Sequence, residues 1–236
     1  MSVLPLVIAG ASVHRGGARL IGPVDLRVEG RGATAVIGPN GSGKTTLLRL
    51  MHGLSRASSG RADWAVPEAA ARGARAFVFQ RPVMLRRSVL ANLAYPLRLA
   101  GAGRAEARAA ALAAAERFDL SPLLAQPAPS LSGGEMQRLA LARALIGAPE
   151  VLLADEPAAS LDGRATRWIE DHLAREVAAG TRLVIATHDM GQARRLASEV
   201  VFLLHGRVHE AGPAAAFFAG PRTPEAAAFL RGDIVE

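Results

Sequence analysis

Of the 28 lysine and arginine residues in the chain, only one is a lysine, and it falls within the run Gly38-Pro39-Asn40-Gly41-Ser42-Gly43-Lys44-Thr45-Thr46. The run has the form G-x-x-x-x-G-K-T, and its chemistry follows from the residue types. Glycines let backbone N–H groups approach and surround phosphate oxygens without side-chain clash. A helix opening at this point adds partial positive charge. The compact ammonium of Lys44 would reach the β- and γ-phosphates of a nucleotide, and the Thr45 hydroxyl would hold Mg²⁺. The plainer alternative is a glycine-rich turn between a strand and a helix. The position of the lone lysine and the flanking elements weigh against it.

Two further stretches could do chemistry. Asp155 and Glu156 end the apolar run Val151-Leu152-Leu153-Ala154. Adjacent carboxylates can divide labour, Asp155 binding Mg²⁺ through its water shell and Glu156 polarising an attacking water. A strand running out into solvent with acids is the competing reading. In Leu131-Ser132-Gly133-Gly134-Glu135-Met136-Gln137, Ser132 and Glu135 are spaced as a capping box, so the stretch can be the start of a well-capped helix over 135–146. Gly133-Gly134 is not needed for capping and is disfavoured by helix propensity. A second anion-binding helix N-terminus accounts for the pair better. Gln80 and His188 each follow an apolar run and singly would mean little.

The elements that must position these groups alternate. Ala33 to Ile37, Ala76 to Phe79, Val151 to Ala154 and Arg182 to Thr187 read as buried strands, and Thr45 to Met51 and Trp168 to Ala179 as helices. Val3 to Ala9 and Val24 to Val28 suggest a small antiparallel sheet, 60–75 a loop with a short edge strand, and 200–210 a hairpin through Gly206. Residues 83–148 change character: Val89 to Leu99 and Arg104 to Phe118 are Ala/Leu-rich with helical spacing, and the segment reads as a helical insertion between strands. Residues 213–230 read as short helical pieces. Strands alternating with helices argue for a mostly parallel sheet covered on both faces, with ligands at the carboxyl ends of the strands. The phosphate loop, Gln80, the paired acids and His188 would then converge on one rim.

Composition bounds the rest. At 236 residues, half of them apolar and 21% charged, the chain is globular with room for one sizeable core and a subdomain. The absence of cysteine excludes a disulfide framework, thiol catalysis and a cysteine metal site. No apolar run is long enough for a transmembrane helix, no secretory signal is visible, and the cytoplasm is the expected compartment. The charge of +7 is spread without basic blocks, and aromatics make up only 4%. That is solvated surface rather than a nucleic-acid footprint, and no nucleic-acid partner is expected.

Here the chain resembles the ATP-binding subunit of an ABC transporter. Gly38–Thr45 resembles the Walker A motif, Leu131–Gln137 the LSGGQ signature with Glu135 where Gln is common, and Val151–Glu156 Walker B. Ser160-Leu161-Asp162 resembles the D-loop, Gln80 the Q-loop and His188 the switch histidine of the H-loop, all in family order. The resemblance implies an α/β P-loop NTPase with a RecA-like, mostly parallel sheet core, an N-terminal antiparallel β-subdomain and an inserted α-helical subdomain at 83–148. Residues 1–236 would form one ABC ATPase domain, without a transmembrane or C-terminal regulatory domain. It further implies ATP and Mg²⁺, the metal on Thr45, Gln80 and Asp155, with Glu156 as general base and His188 and Gln80 completing the catalytic set. Two copies would pack head to tail around two ATP molecules, each site using residues 38–46 of one copy and Ser132, Gly133, Gly134, Glu135 and Asp162 of the other. The family stacks adenine on an aromatic near the position of Arg15; the guanidinium either stacks on the base instead or is only a loop cation.

What powers what is less legible. Gln80 and the segment Arg81 to Leu93, apolar at Pro82, Val83, Met84 and Leu85, suit either a groove for a permease helix or ordinary core. The permease would be a separate polypeptide, the chain would lie peripherally on the cytoplasmic face of the inner membrane, and an extracytoplasmic solute-binding protein is implied. The stretch Arg81 to Val89 and the tail, with Phe217-Phe218, Pro221 and Phe229-Leu230-Arg231-Gly232, resemble the ATPase subunits of tungstate importers and their oxyanion relatives. Amino-acid import, lipid or lipoprotein export, and a membrane-docked ATPase outside transport are the alternatives. The Gln80 to Ser132 distance of 52 residues leaves no room for the long coiled-coil insertion of chromosome-organising members.

Overall fold

Two sheets meet on the helix that follows the phosphate loop. In a computed structural model, which describes residues 2–233 and 235, β1 (Leu6–Arg15) and β2 (Ala18–Val28) form an antiparallel hairpin. β3 (Ala33–Ile37) leads into the loop, α1 (Lys44–His52) out of it, and β4 (Ser59–Trp64) returns to pair with β1. The small sheet thus has the order β2-β1-β4. The hairpin strands run well past the expected limits because they pair with each other along their length, from Leu6 opposite Val28 to Arg15 opposite Ala18.

The larger sheet adds β5 (Arg75–Val78), β6 (Val151–Asp155), β7 (Arg182–Ala186), β8 (Glu199–Leu204) and β9 (Arg207–Pro213) in the order β5-β6-β7-β3-β8-β9. Neighbours from β5 to β8 are parallel, and β9 is antiparallel to β8. β3, β6 and β7 are buried at every residue, as strands covered on both faces must be. Alternate side chains serve opposite cores. Val36, Val184, Val201 and Leu203 pack with Leu47, Leu48 and Met51 of α1 and with Ile8 and Ile21 of the small sheet. Ala35, Ile37, Ile185 and Phe202 face the other helices. At the end of the sheet away from the phosphate loop, buried Arg182 on β7 donates to Thr34 Oγ1 on β3 at 2.6 Å and to Glu199 Oε2 on β8 at 2.5 Å. That clamp ties three adjacent strands together in register.

Between β5 and β6 lie α3 (Val89–Leu99), α4 (Arg104–Arg117) and α5 (Gly133–Leu145). Buried Ala107, Ala111, Ala114 and Ala115 give α4 a small-residue face. The remaining helices are α6 (Gly163–Ala179), α7 (Met190–Leu196), α8 (Ala214–Ala219) and α9 (Pro224–Arg231). One element differs from expectation in kind. The stretch expected to be loop beyond the edge strand contains α2 (Glu68–Gly73), held by an ion pair between Glu68 and buried Arg75. α6 starts before Trp168 because the Asp162 side chain accepts from Ala165 N–H at 2.8 Å and caps the helix.

Candidate functional site

The carboxyl ends of four parallel strands supply one rim. Residues 38–41 and 43–46 line an open cavity of about 700 Å³ together with Gln80, Glu156 and His188, which leave β5, β6 and β7. The loop needs its glycines. A Cβ on Gly38 would collide with the Leu203 carbonyl, one on Gly43 with the Ile21 side chain, and both residues have positive φ. Gly43 also caps α1 without a side-chain bond, so no hydroxyl or carboxylate competes with an anion for the first-turn N–H groups. Ser42 is buried, with its hydroxyl unpartnered among the described residues.

Lys44 is buried, and its ammonium donates to the carbonyls of Gly38 at 2.8 Å and Pro39 at 3.0 Å, leaving a third proton for a further acceptor. Burial lowers its pKa, opposed by the charges of Glu156 and Asp155. Thr45 Oγ1 donates to Asp155 Oδ1 at 3.0 Å. Burial raises the Asp155 pKa and the Thr45 bond holds it down. Thr45 and Asp155 present hard oxygen donors, and among the described residues no cluster of three His, Cys, Asp or Glu could cage a metal alone. That donor set suits Mg²⁺, which keeps waters and substrate phosphates among its ligands.

Glu156 occupies a left-handed conformation, φ 45°, unusual for a non-glycine residue. Its Oε2 lies 2.9 Å from His188 Nδ1 and 3.4 Å from Gln80 Nε2. Carboxylate, imidazole and amide thus converge across the mouth of the cavity. Gln80 meets Glu156 through its nitrogen and makes no bond to the Thr45–Asp155 pair.

Ser132, Gly133, Gly134, Glu135 and Asp162 are elsewhere. They line a separate cavity of about 610 Å³ between α5 and α6, which shares no residue with the first. Gly134 there faces Ala165, and a Cβ at this position would sit 3.6 Å from the Ala165 Cβ, an ordinary van der Waals contact. Trp168 floors it, donating its indole N–H to Asp119 at 2.8 Å and stacking on His172 with ring centroids 3.6 Å apart. The Arg138 guanidinium lies 5.6 Å from the centre of the indole. A narrow cavity of about 180 Å³ runs between the two sites, bounded by Glu156 and His188 on one side and by Ser160 and Leu161 on the other.

Residues 21–159 match the sequence model of the family described as ABC transporter. The chain is 37% identical to the phosphate import ATP-binding protein PstB 2 of Natronomonas pharaonis, over 98% of this chain and 87% of the relative. The chain belongs to the ABC transporter family. It is likewise 37% identical to the tungstate uptake system ATP-binding protein TupC of Peptoclostridium acidaminophilum, over 88% of this chain and 98% of that protein. Among solved structures it is similar to cbiO1 from Clostridium perfringens, described as part of the ABC transporter complex cbiONQ. The TM-score is 0.79 at 27% identity, covering 91% of this chain and 90% of that one. The protein is thus an ABC ATPase, a P-loop enzyme that hydrolyses ATP.

In this ABC ATPase Arg15 does not line the phosphate-loop cavity. It lies in an adjoining recess of about 490 Å³ with Arg49 and Arg56, and the two spaces share Leu20 and Thr46. Two contributors to the first cavity carry no sign in the sequence that they line it. Leu20 arrives from the start of β2, and Phe229 from α9, where its ring packs on Phe202 at 5.2 Å between centroids. Leu20 belongs to no motif and Phe229 was singled out only for the resemblance of the tail, and only the folded chain brings them to the loop.

Proposed function

We propose that the chain energises an importer of tungstate or a related oxyanion, as one of two ATPase subunits that close head to tail on two ATP molecules. The observation that carries the closing is the separation of the two cavities. A single chain holds a phosphate loop with its acids on one rim and Ser132 with Gly134 on another, so a complete site needs residues 38–46 of one copy and the second cavity of its partner. The choice of solute is supported by the similarity to TupC over nearly its whole length, with PstB 2 as an oxyanion relative.

In this reading the loop N–H groups and Lys44 hold the phosphates, and Thr46 adds a hydroxyl beside them. Mg²⁺, on Thr45 and Asp155, would neutralise charge between the β- and γ-phosphates. Glu156 takes a proton from water as the water oxygen attacks the γ-phosphorus and the bond to the β-bridging oxygen breaks, giving ADP and phosphate. His188 orients the carboxylate through Nδ1, and Gln80 Nε2 approaches the same carboxylate oxygen. Positioning and electrostatics do most of the work.

No helix among the described residues is long and apolar enough to cross a membrane. In the importer reading, the chain would sit on the cytoplasmic face of the membrane against separate permease subunits. Exposed Leu54 beside Arg15, Arg49 and Arg56 in the adjoining recess fits a partner segment that is both apolar and acidic, and exposed Val83 offers a further apolar contact. The test is the ATPase rate of the complex, purified from native membranes by a tag on this chain. It is measured with the solute-binding protein and tungstate, molybdate, sulfate, phosphate, methionine or another amino acid. Stimulation by one oxyanion supports the reading; stimulation by methionine or another amino acid instead would overturn it.

A further inference from the structure

Ser132 has one hydroxyl proton, and in this structure that proton is taken. Ser132 Oγ donates to Glu135 Oε2 at 2.6 Å, and Ser132 N–H donates to the same oxygen at 2.8 Å. The Glu135 N–H returns a longer contact to Ser132 Oγ at 3.4 Å. The two bonds from Ser132 pull the Glu135 pKa down, with Arg138 adding to the effect, so the side chain is a carboxylate at neutral pH. A carboxylate only accepts, and so does a phosphate oxygen. The hydroxyl therefore cannot serve both at once.

The surroundings sharpen the conflict. The cavity holds three carboxylates, Asp119, Glu135 and Asp162, against the guanidiniums of Arg138 and Arg164. Asp119 is engaged by Trp168 and Asp162 by the N–H of Ala165, so their charges are fixed in place. Glu135 is the acid in direct contact with the residue that would meet the γ-phosphate.

We propose that Glu135 is a positioning residue that holds the Ser132 hydroxyl in the open chain, and that closing on ATP exchanges this bond for one to the phosphate. This rests on the head-to-tail reading above. The exchange makes closure weaker than the rest of the site would allow and sets the ATP concentration at which it occurs. A glutamine at the same place would behave differently. Its amide N–H can donate to Ser132 Oγ, which leaves the hydroxyl proton for the phosphate, and it removes one negative charge from the path of a polyanion.

The experiment compares full-length chains carrying Glu156→Gln, to stop turnover, with and without Glu135→Gln, and follows dimerisation against ATP by sedimentation. The expected result is closure at about three- to tenfold lower ATP with Glu135→Gln. In a Ser132→Ala background, which has no hydroxyl to release, the shift should shrink to the part due to charge alone. Helix capping by itself predicts no gain, because glutamine also caps at this position. Equal or weaker closure with Glu135→Gln overturns the inference and leaves the head-to-tail reading standing. Monomers in both chains at saturating ATP overturn that reading, and the inference with it.

Discussion

The two cavities of this ABC ATPase are built on opposite principles. The phosphate-loop rim comes from strand ends that the parallel sheet holds a fixed distance apart, with β3, β6 and β7 buried at every residue. Its groups already touch: Thr45 with Asp155, and His188 with Glu156. The cavity around Ser132 lies between two helices, and its polar groups are occupied by one another. One half-site is pre-formed and needs a ligand; the other is self-satisfied and must be opened. On the head-to-tail reading proposed above, a chain divided in this way would hold nucleotide alone and complete the clamp only with a partner.

The strongest way to break this contrast is within the first rim. Lys44→Ala should weaken ATP binding by about two to three orders of magnitude, since it deletes a buried ammonium aimed at the phosphates. Glu156→Gln should leave binding within a few-fold and lower kcat by about two orders of magnitude or more. Equilibrium binding and single-turnover rates separate the two. If Glu156→Gln bound no nucleotide, the carboxylate would be part of the cradle rather than the chemistry.

Next in size is Ser132→Ala. If the second half-site acts only on closure, ATP affinity of the monomer should stay unchanged while turnover falls about ten- to a hundredfold. A parallel loss of monomer affinity would join the two cavities into one site and end the comparison.

Acid should tell the two regions apart as well. His52, at the end of α1, has its pKa lowered to about 4, first by burial and then by the Arg75 charge. In the unfolded chain it titrates near 6.5, so the stability it confers is complete above that pH. It is lost as pH falls from about 6.5 toward 4, amounting to at most about 3 kcal/mol. Hydrogen exchange should show the protection of α1 eroding in this window, and His52→Gln should flatten the trend.

The smallest effect is expected at Arg15. If its guanidinium reaches the base from the adjoining recess, Arg15→Ala weakens ATP binding severalfold and narrows the gap between ATP and GTP. An unchanged affinity would leave it a surface cation.

Much of this was readable beforehand because the chemistry is local. The phosphate loop, the acids after β6 and the capping box of α5 each lie within a few consecutive residues, flanked by apolar runs whose period reveals the element. The parallel order also followed from strands alternating with helices. What escaped is what depends on distant contacts. α2 is short, rich in Ala, Arg and Gly, and held largely by Arg75 pairing with Glu68. Leu20 and Phe229 reach the loop only because β2 and α9 fold back over it. The hydroxyl bond between Ser132 and Glu135 could be guessed from spacing, but not the fact that it uses the proton a phosphate would need.

The indole beneath the second cavity has an optical consequence. The chain has two tryptophans, and they report from different places. Trp64 is fixed in the small sheet, its N–H on the Met51 carbonyl at 3.2 Å and the Arg75 guanidinium 5.5 Å from its ring centre. Trp168 stacks on His172, with the Arg138 guanidinium 5.6 Å from its ring centre, on the floor beside Ser132. With Trp64 replaced by Phe, the remaining tryptophan emission belongs to that floor alone, and the protein would carry its own fluorescent gauge of the proposed clamp without an added dye.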